Sequence, residues 1–293
     1  MSGSAAPGGQ TAGAQHCYRH PDREAYIACQ RCERPICPDC MRDASVGFQC
    51  PECVAKGAKN VRAPRTIAGG AVQSRPGIVT MVLIGINVAA FVLTDVLRID
   101  AVNAWGAMQA ANVVTADGSL YRGVADGGYW RLLTAAFLHA GVLHILFNVY
   151  ALYLFGPFVE KALGTWRYLA AYVTSAVVAS VFVYWLSAPG TWTVGASGAV
   201  FGLFGMALVL LLKAKEDVRG LLVLLAINAA ISVISARISW EGHLGGFVAG
   251  CVLGVVLAYA PRARRTLVQV AAFVLVWGAI VAAVVLRTAQ LTS

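Results

Sequence analysis

The stretch Gly195-Ala196-Ser197-Gly198-Ala199-Val200-Phe201-Gly202 opens an apolar segment directly after the polar turn 187–193. A second apolar segment opens at Glu241-Gly242-His243-Leu244-Gly245-Gly246, with His243 placed 46 residues after Ser197. A serine between glycines presents its hydroxyl uncrowded, on a backbone free to turn. A serine and an imidazole that meet make a nucleophile and its general base. Both residues begin long apolar runs, so the solvent around them is decided by the rest of the chain.

The 293 residues are 58% hydrophobic and 13% charged, about half the charge of an ordinary soluble domain, which runs near 25%. The apolar residues fall in runs of about 20, the length of a membrane-crossing helix. Segments are expected near 78–97, 141–160, 166–187, 196–212, 219–236, 242–260 and 266–287. The net charge of +9 does not indicate nucleic acid, because the basic residues cluster between the apolar runs. With the N-terminus inside, eleven basic residues fall on inner stretches (Arg62, Arg65, Arg75, Lys161, Arg167, Lys213, Lys215, Arg219, Arg262, Arg264, Arg265). Five fall outside (Arg98, Arg122, Arg131, Arg237, Arg287). The positive-inside rule therefore predicts a cytoplasmic N-terminus and an outside C-terminus. Residues 1–15 are Gly/Ala/Ser/Pro-rich with no apolar core, so they read as a disordered start and not a secretory signal. The loop 98–140 holds Trp105, Tyr129 and Trp130, and a loop of that length is expected to be functional or to carry structure of its own.

Depth can be reckoned from each inner basic anchor at about 1.5 Å per residue. His144 then stands about 25 Å above Lys161, Asn148 about 20 Å above it, Ser197 about 24 Å above Lys213, and His243 about 28 Å above Arg262. All four lie in the outer part of a core roughly 30 Å thick. His144 and Asn148, spaced i, i+4, share a helical face. Gly242, Gly246, Gly250 and Gly254 form one bare stripe, and Gly198 and Gly202 another. Such faces let helix backbones pack closely. If the two stripes meet, Ser197 and His243 stand side by side. Taken singly, the serine reads as a backbone-bonding residue and the glycines as packing. Together, at one depth, they fit an acyl-transfer site.

The membrane part resembles the rhomboid family of intramembrane serine proteases. The matching pieces are Trp130-Arg131, His139-x4-His144-x3-Asn148, the Gly195–Gly202 stretch and Gly242-His243-Leu244-Gly245-Gly246, within about residues 78–260. The resemblance implies an all-α polytopic membrane protein with a six-helix core, here followed by a seventh transmembrane helix in 261–293. It implies a serine-type endopeptidase with Ser197 as nucleophile and His243 as base, a dyad without an orienting acid. Glu241, two residues away on another face, is not assigned that role. His144, Asn148 and the Ser197 backbone N–H are implied as the oxyanion hole. Gly195 matches the first motif glycine, and Phe201 the aromatic packed on the catalytic imidazole. His139 would order the outer loop, and Trp130 and Arg131 would brace it. The connection 237–241, with Trp240, would cap the site. Substrates would be transmembrane proteins cleaved in or near their membrane segments, and the setting a bacterial plasma membrane. A catalytically inactive rhomboid-like binding or chaperone protein is the alternative. A proton-relay transporter would need acidic groups in mid-membrane. Asp95, Asp217 and Glu241 lie at segment ends and Glu160 sits beside Lys161.

Seven of the eight cysteines lie in 17–53. They read Cys17-x2-His20, Cys29-x2-Cys32, Cys37-x2-Cys40 and Cys50-x2-Cys53, eight ligands for two tetrahedral zinc ions. In a reducing cytosol such pairs favour metal over disulfides. So short a segment forms little core, and metal would supply the folding energy. The pattern resembles a B-box-type zinc finger over 16–54. That resemblance implies cross-braced sites, Cys17, His20, Cys37 and Cys40 on one zinc and Cys29, Cys32, Cys50 and Cys53 on the other. Sequential pairing is the alternative. Both zincs would be structural, and catalysis would need no cofactor. Residues 1–75 carry ten Lys/Arg and six Asp/Glu, and two Zn²⁺ with seven thiolates would leave about +1, too little to favour phosphate binding. A cytosolic protein partner is expected for this module rather than nucleic acid. Residues 55–77 form a basic linker to the membrane part.

Overall fold

The computed structural model describes residues 15–60, 64–72, 75–114, 118–235 and 238–293. The disordered start expected for 1–15 lies outside these residues apart from Gln15, as do Arg62 and Arg237. The chain forms two compact units, 1–63 and 64–293.

The small unit consists of three two-stranded antiparallel ribbons and one helix. Strand β1 (Gln15–Cys17) pairs with β2 (His20–Ala25), β3 (Ile27–Ala28) with β4 (Pro35–Ile36), and β5 (Arg42–Asp43) with β6 (Phe48–Gln49). Helix α1 (Pro51–Asn60) follows. The buried residues at its centre are Cys17, Ala25, Cys29, Ile36, Cys37, Cys40, Cys50 and Cys53. Only Ala25 and Ile36 among them are not thiols, so apolar burial alone gives this unit little stability.

The large unit is helical. Helix α2 (Ile78–Phe91) runs on through a wider turn over Val92–Val96. The long outer loop contains α3 (Asp100–Gly106), a short ribbon of β7 (Val113–Val114) and β8 (Leu120–Tyr121), and α4 (Arg131–Thr134). Then come α5 (Val142–Leu163), α6 (Thr165–Leu186), α7 (Ser197–Ala214), α8 (Arg219–Ile234), α9 (Trp240–Tyr259) and α10 (Arg265–Thr292). Gly164 alone joins α5 to α6, at φ +85°, where a side chain would be strained.

Six of these helices, counting α2 with its extension, are long and apolar enough to cross a membrane. The seventh expected segment, 219–236, forms the shorter helix α8 of 16 residues. At about 1.5 Å per residue α8 reaches roughly 24 Å, short of a core about 30 Å thick. It begins at a backbone capped by Asp217, whose Oδ1 accepts from the Arg219 amide at 2.8 Å, and ends where Ser235 turns extended.

Helices α6, α7 and α9 form the centre, because their contact faces are made of small residues. A Cβ built on Gly246 would lie 1.8 Å from the carbonyl oxygen of Gly198, and one on Gly250 2.0 Å from that of Gly202. The two glycine stripes therefore face each other. On its other side, α7 sets Gly198 against Ala179 and Gly202 against Ser175 of α6. Helices α2, α5 and α10 turn apolar side chains outward, among them Ile78, Phe147 and Leu275. Helix α10 is tied to α6 by Trp277 Nε1 donating to Thr174 Oγ1 (3.2 Å) and by Trp185 Nε1 donating to the Ala283 carbonyl (3.0 Å).

Candidate active site

The turn before Ser197 is fixed from two sides. Thr193 and Met108 exchange backbone hydrogen bonds of 2.9 and 3.0 Å, and the Gly195 amide donates to the Ala135 carbonyl at 2.9 Å. Gly195 then takes φ +137°, open to glycine alone in practice. Ser197 follows as the first residue of α7, half-buried and therefore reachable. The first amides of a helix have no intrahelical acceptor, so this end offers N–H donors.

The space beside Gly195 is where the site converges. A Cβ there would lie 2.7 Å from Nε2 of His144 and 3.5 Å from Oγ of Ser197. The Ala140 amide donates to Nδ1 of His144 at 3.2 Å. With Nδ1 accepting, the proton of a neutral imidazole is on Nε2, and it points into that space as a donor. Asn148 lies one turn along α5, buried, with one amide proton given to the His144 carbonyl at 2.9 Å. Its second amide proton is left for another acceptor.

His243, on the first turn of α9, is clamped. Its ring stacks on Phe201, with centroids 4.0 Å apart and planes at 10°. Phe201 is four residues after Ser197 and thus on the same face of α7. On the ring's edge, Nδ1 lies 2.8 Å from Oγ of Ser232 in α8. Glu241 is occupied elsewhere, accepting from Ser187 Oγ (3.0 Å) and Ser239 Oγ (2.9 Å). The structure thus gathers Ser197, His144, Gly195, Phe201 and His243 at one end of the α7–α9 seam.

The remaining membrane residues lie around this centre. His139 is buried against His144, ring centroids 5.2 Å apart and edge-on. Burial, with the neighbouring His144, pushes its pKa down to about 4 and keeps it neutral. Arg131 is fully buried and donates to the carbonyls of Arg122 (2.6 Å), Ala107 (2.6 Å) and Ala104 (2.7 Å), which ties the outer loop together. Trp130 stacks on Trp105 at 5.4 Å and donates to its carbonyl.

Two residues were not legible as functional. Ser232 is a serine in an apolar helix with no motif around it. Glu160, read only as the neighbour of Lys161, is fully buried and accepts from the Val79 amide (3.1 Å), the Thr80 amide (3.0 Å) and Thr80 Oγ1 (2.8 Å). It caps the positive end of α2.

Comparisons with known proteins bear on the family of the chain. The family description "Rhomboid domain" matches residues 126–260. The chain is 38% identical over 148 residues to the putative rhomboid protease YdcA of Bacillus subtilis (strain 168), across 49% of this chain and 74% of YdcA. The chain belongs to the rhomboid family. It is also 38% identical over 136 residues to the rhomboid protease GluP of the same organism, there covering 43% of this chain and 26% of GluP. Similarity to the rhomboid protease AarA of Providencia stuartii is 24% over 215 residues, covering 64% of this chain and 74% of AarA. This rhomboid is an integral membrane protein.

Its small unit holds two groups of four potential metal ligands. They are Cys17, His20, Cys37, Cys40 and Cys29, Cys32, Cys50, Cys53, each group with its ligand atoms within 4.8 Å of one another. This grouping is interleaved, not sequential. His20 Nδ1 lies 3.4 Å from Sγ of both Cys37 and Cys40, and the sulfurs of Cys32 and Cys50 are 3.8 Å apart. Tetrahedral ligands at Zn–S of about 2.3 Å stand roughly 3.8 Å apart, so the spacing suits such an ion. All the cysteines are unbridged. Arg34 donates through Nε to Cys32 Sγ at 3.3 Å and holds that thiol below its usual range, favouring the thiolate that a metal needs.

Proposed function

We propose that this rhomboid cleaves peptide bonds of membrane-protein substrates in or near their transmembrane segments, with Ser197 as nucleophile and His243 as base. The observation that carries the reading is the space beside Gly195, bordered by the Ser197 hydroxyl and by His144 Nε2. His243 would take the Ser197 proton as Oγ attacks the scissile carbonyl. The oxyanion would form where His144 Nε2–H, the free Asn148 amide proton and the first α7 amide converge. Such donors, fixed before the reaction, stabilise charge as it develops. Return of the proton to the leaving amine would give an acyl-enzyme, which water then hydrolyses. A helical substrate backbone is already hydrogen-bonded, so small or helix-breaking residues at the cleavage point would ease access.

His139 would position His144 and stay outside the chemistry, while Arg131 and Trp130 would hold the outer loop. The segments 16–54, 55–77, 78–260 and 261–293 would act as zinc-binding domain, linker, protease core and additional helix. The small unit would hold two structural zinc ions, its thiolates and His20 exchanging protons for metal on folding. It would face the cytosol and contact a protein partner there, with the C-terminus on the opposite side.

The test is co-expression with single-span membrane proteins, comparing wild type with Ser197→Ala, and labelling of the purified protein with a fluorophosphonate. Cleavage and labelling are expected in wild type and lost in Ser197→Ala. Equal cleavage by the alanine variant would overturn the assignment, and a wild type that neither labels nor cleaves would favour the inactive binding protein.

A further inference from the structure

Helix α8 buries only two of its described residues, Leu221 and Ser232. Around Ser232 the apolar Ile231, Val233 and Ile234 are exposed. Hydrophobicity would choose one of those three to point inward, yet the serine does. Its hydroxyl makes two hydrogen bonds whose directions are fixed by counting protons. Ser232 Oγ lies 2.7 Å from the Asn228 carbonyl, which can only accept, so the one hydroxyl proton goes there. The second contact, 2.8 Å to His243 Nδ1, must then run the other way, with Nδ1–H donating to a lone pair of Oγ. A neutral imidazole protonated at Nδ1 presents a bare Nε2, the form that accepts a proton from a nucleophilic hydroxyl.

We infer that Ser232 is a positioning residue, which holds His243 in its Nδ1–H tautomer and makes the competence of that base depend on α8 being seated. The inference rests on the reading of His243 as the base. Ser232 touches no reacting atom. With the Phe201 ring fixing the plane of the imidazole and Ser232 its edge, one tautomer and one orientation are selected. An acid is not needed for this, and Glu241 is not used for it. The serine stands on the wall of a cavity of about 260 Å³ between α8 and α9, beside Leu225, Ala229 and Trp240. Since the contact crosses between two helices, displacing α8 outward breaks it and frees the imidazole to take the Nε2–H form, which cannot accept the Ser197 proton. His144 holds the opposite tautomer, so the chain sets two imidazoles at one site to opposite proton positions by one hydrogen bond each.

The test uses full-length protein in lipid bilayers, as wild type, Ser232→Ala and Ser232→Thr. Nitrogen-15 histidine NMR, with His243 assigned from His243→Ala, reads the tautomer. Turnover of a peptide substrate and the rate of fluorophosphonate labelling read the nucleophile. Thermal melting verifies folding. Ser232→Ala is expected to move His243 from Nδ1–H to a mixture of tautomers. It should also lower kcat and the labelling rate by about three- to tenfold, the factor one neutral hydrogen bond supports, with KM nearly unchanged. Ser232→Thr, which keeps the hydroxyl, should restore the Nδ1–H form and most of the rate. A folded Ser232→Ala that keeps the wild-type tautomer would overturn the inference, as would a threonine variant equally shifted to the mixture. If wild type neither labels nor cleaves, the assignment of the base fails. The NMR arm then still decides whether Ser232 sets the tautomer.

Discussion

A Cβ on Gly246 would stand 1.8 Å from the carbonyl oxygen of Gly198, closer than any real pair of atoms at that contact. The neighbour is backbone, which cannot swing aside as a flexible side chain can, so Gly246→Ala must push α9 off α7. Overpacking of this kind costs about 1–3 kcal/mol, and this site falls at the upper end. Gly278 in α10 has nothing within 4 Å of its Cβ position. There alanine should be neutral or favourable by up to about 1 kcal/mol, from helix propensity. Denaturation in mixed micelles should separate the two variants clearly. An equal response would mean that the seam tolerates parting.

Gly195→Ala tests the oxyanion space while leaving the Ser197 and His243 side chains in place, since Ser197 Oγ would be at an ordinary contact distance of 3.5 Å. The new methyl would lie 2.7 Å from His144 Nε2, and the φ of +137° would be strained. His144 must move, and the loss of one such donor costs about 10²–10³ in rate. Cleavage should fall by that order while the melting temperature drops only a little. His144→Ala should fall by a similar factor, and the double variant by far less than the product, because both act on one donor.

The glycine period of four was readable because a bare stripe has no other use in a membrane helix than close approach. The depths of Ser197, His243, His144 and Asn148 were readable because each helix carries a basic inner anchor. The length of α8 was less so: hydropathy ran on to 236, but the helix ends at Ile234, where Ser235 turns extended. Ser232 was not legible, since a serine in an apolar helix ordinarily bonds its own i−4 carbonyl. It does so here as well, and its second contact depends on a rotation of α8 that no periodicity reveals. Glu160 escaped for a related reason. A carboxylate next to a lysine at a segment end looks solvated, whereas its acceptors are taken up by amides 80 residues earlier in the chain.

The burial of Glu160 carries its own expectation. Its carboxylate satisfies two amides and the hydroxyl of Thr80 at the start of α2. Glu160→Gln keeps the shape but loses the charge and offers one acceptor oxygen instead of two. The resulting destabilisation should be about 1–3 kcal/mol, the cost of a buried donor left unsatisfied. Hydrogen exchange at Val79 and Thr80 should rise in the variant more than exchange in α9 does.

The proposed zinc sites predict that a chelator acts on the small unit alone. The core of the small unit is almost wholly thiols, so on the proposed zinc binding a strong chelator should unfold 16–54, as expected where binding and folding are one equilibrium. Elemental analysis should find two zinc ions per chain. Cys37→Ser and Cys50→Ser should each lose one, and the double variant both, because the two residues belong to different groups of four. In a sequential arrangement the two residues would share one ion, and the double variant would keep the other.

His139 links stability to acid. Its pKa lies near 4 in the folded protein against 6.5 unperturbed, because burial disfavours the charged ring and His144 adds to this. Between those two values the unfolded chain binds a proton that the folded chain refuses. Stability therefore rises with pH across the window and is lost as pH falls from about 6.5 toward 4. A shift of this size corresponds to roughly 3 kcal/mol if fully expressed. His139→Leu removes the titrating group while keeping the burial, so its stability should vary less between pH 6.5 and 4.5 than that of wild type. Melting curves of the two proteins over that range measure the difference directly. Parallel curves would show that His139 is protonated as readily in the fold as out of it, and that the acid sensitivity of this loop has another source.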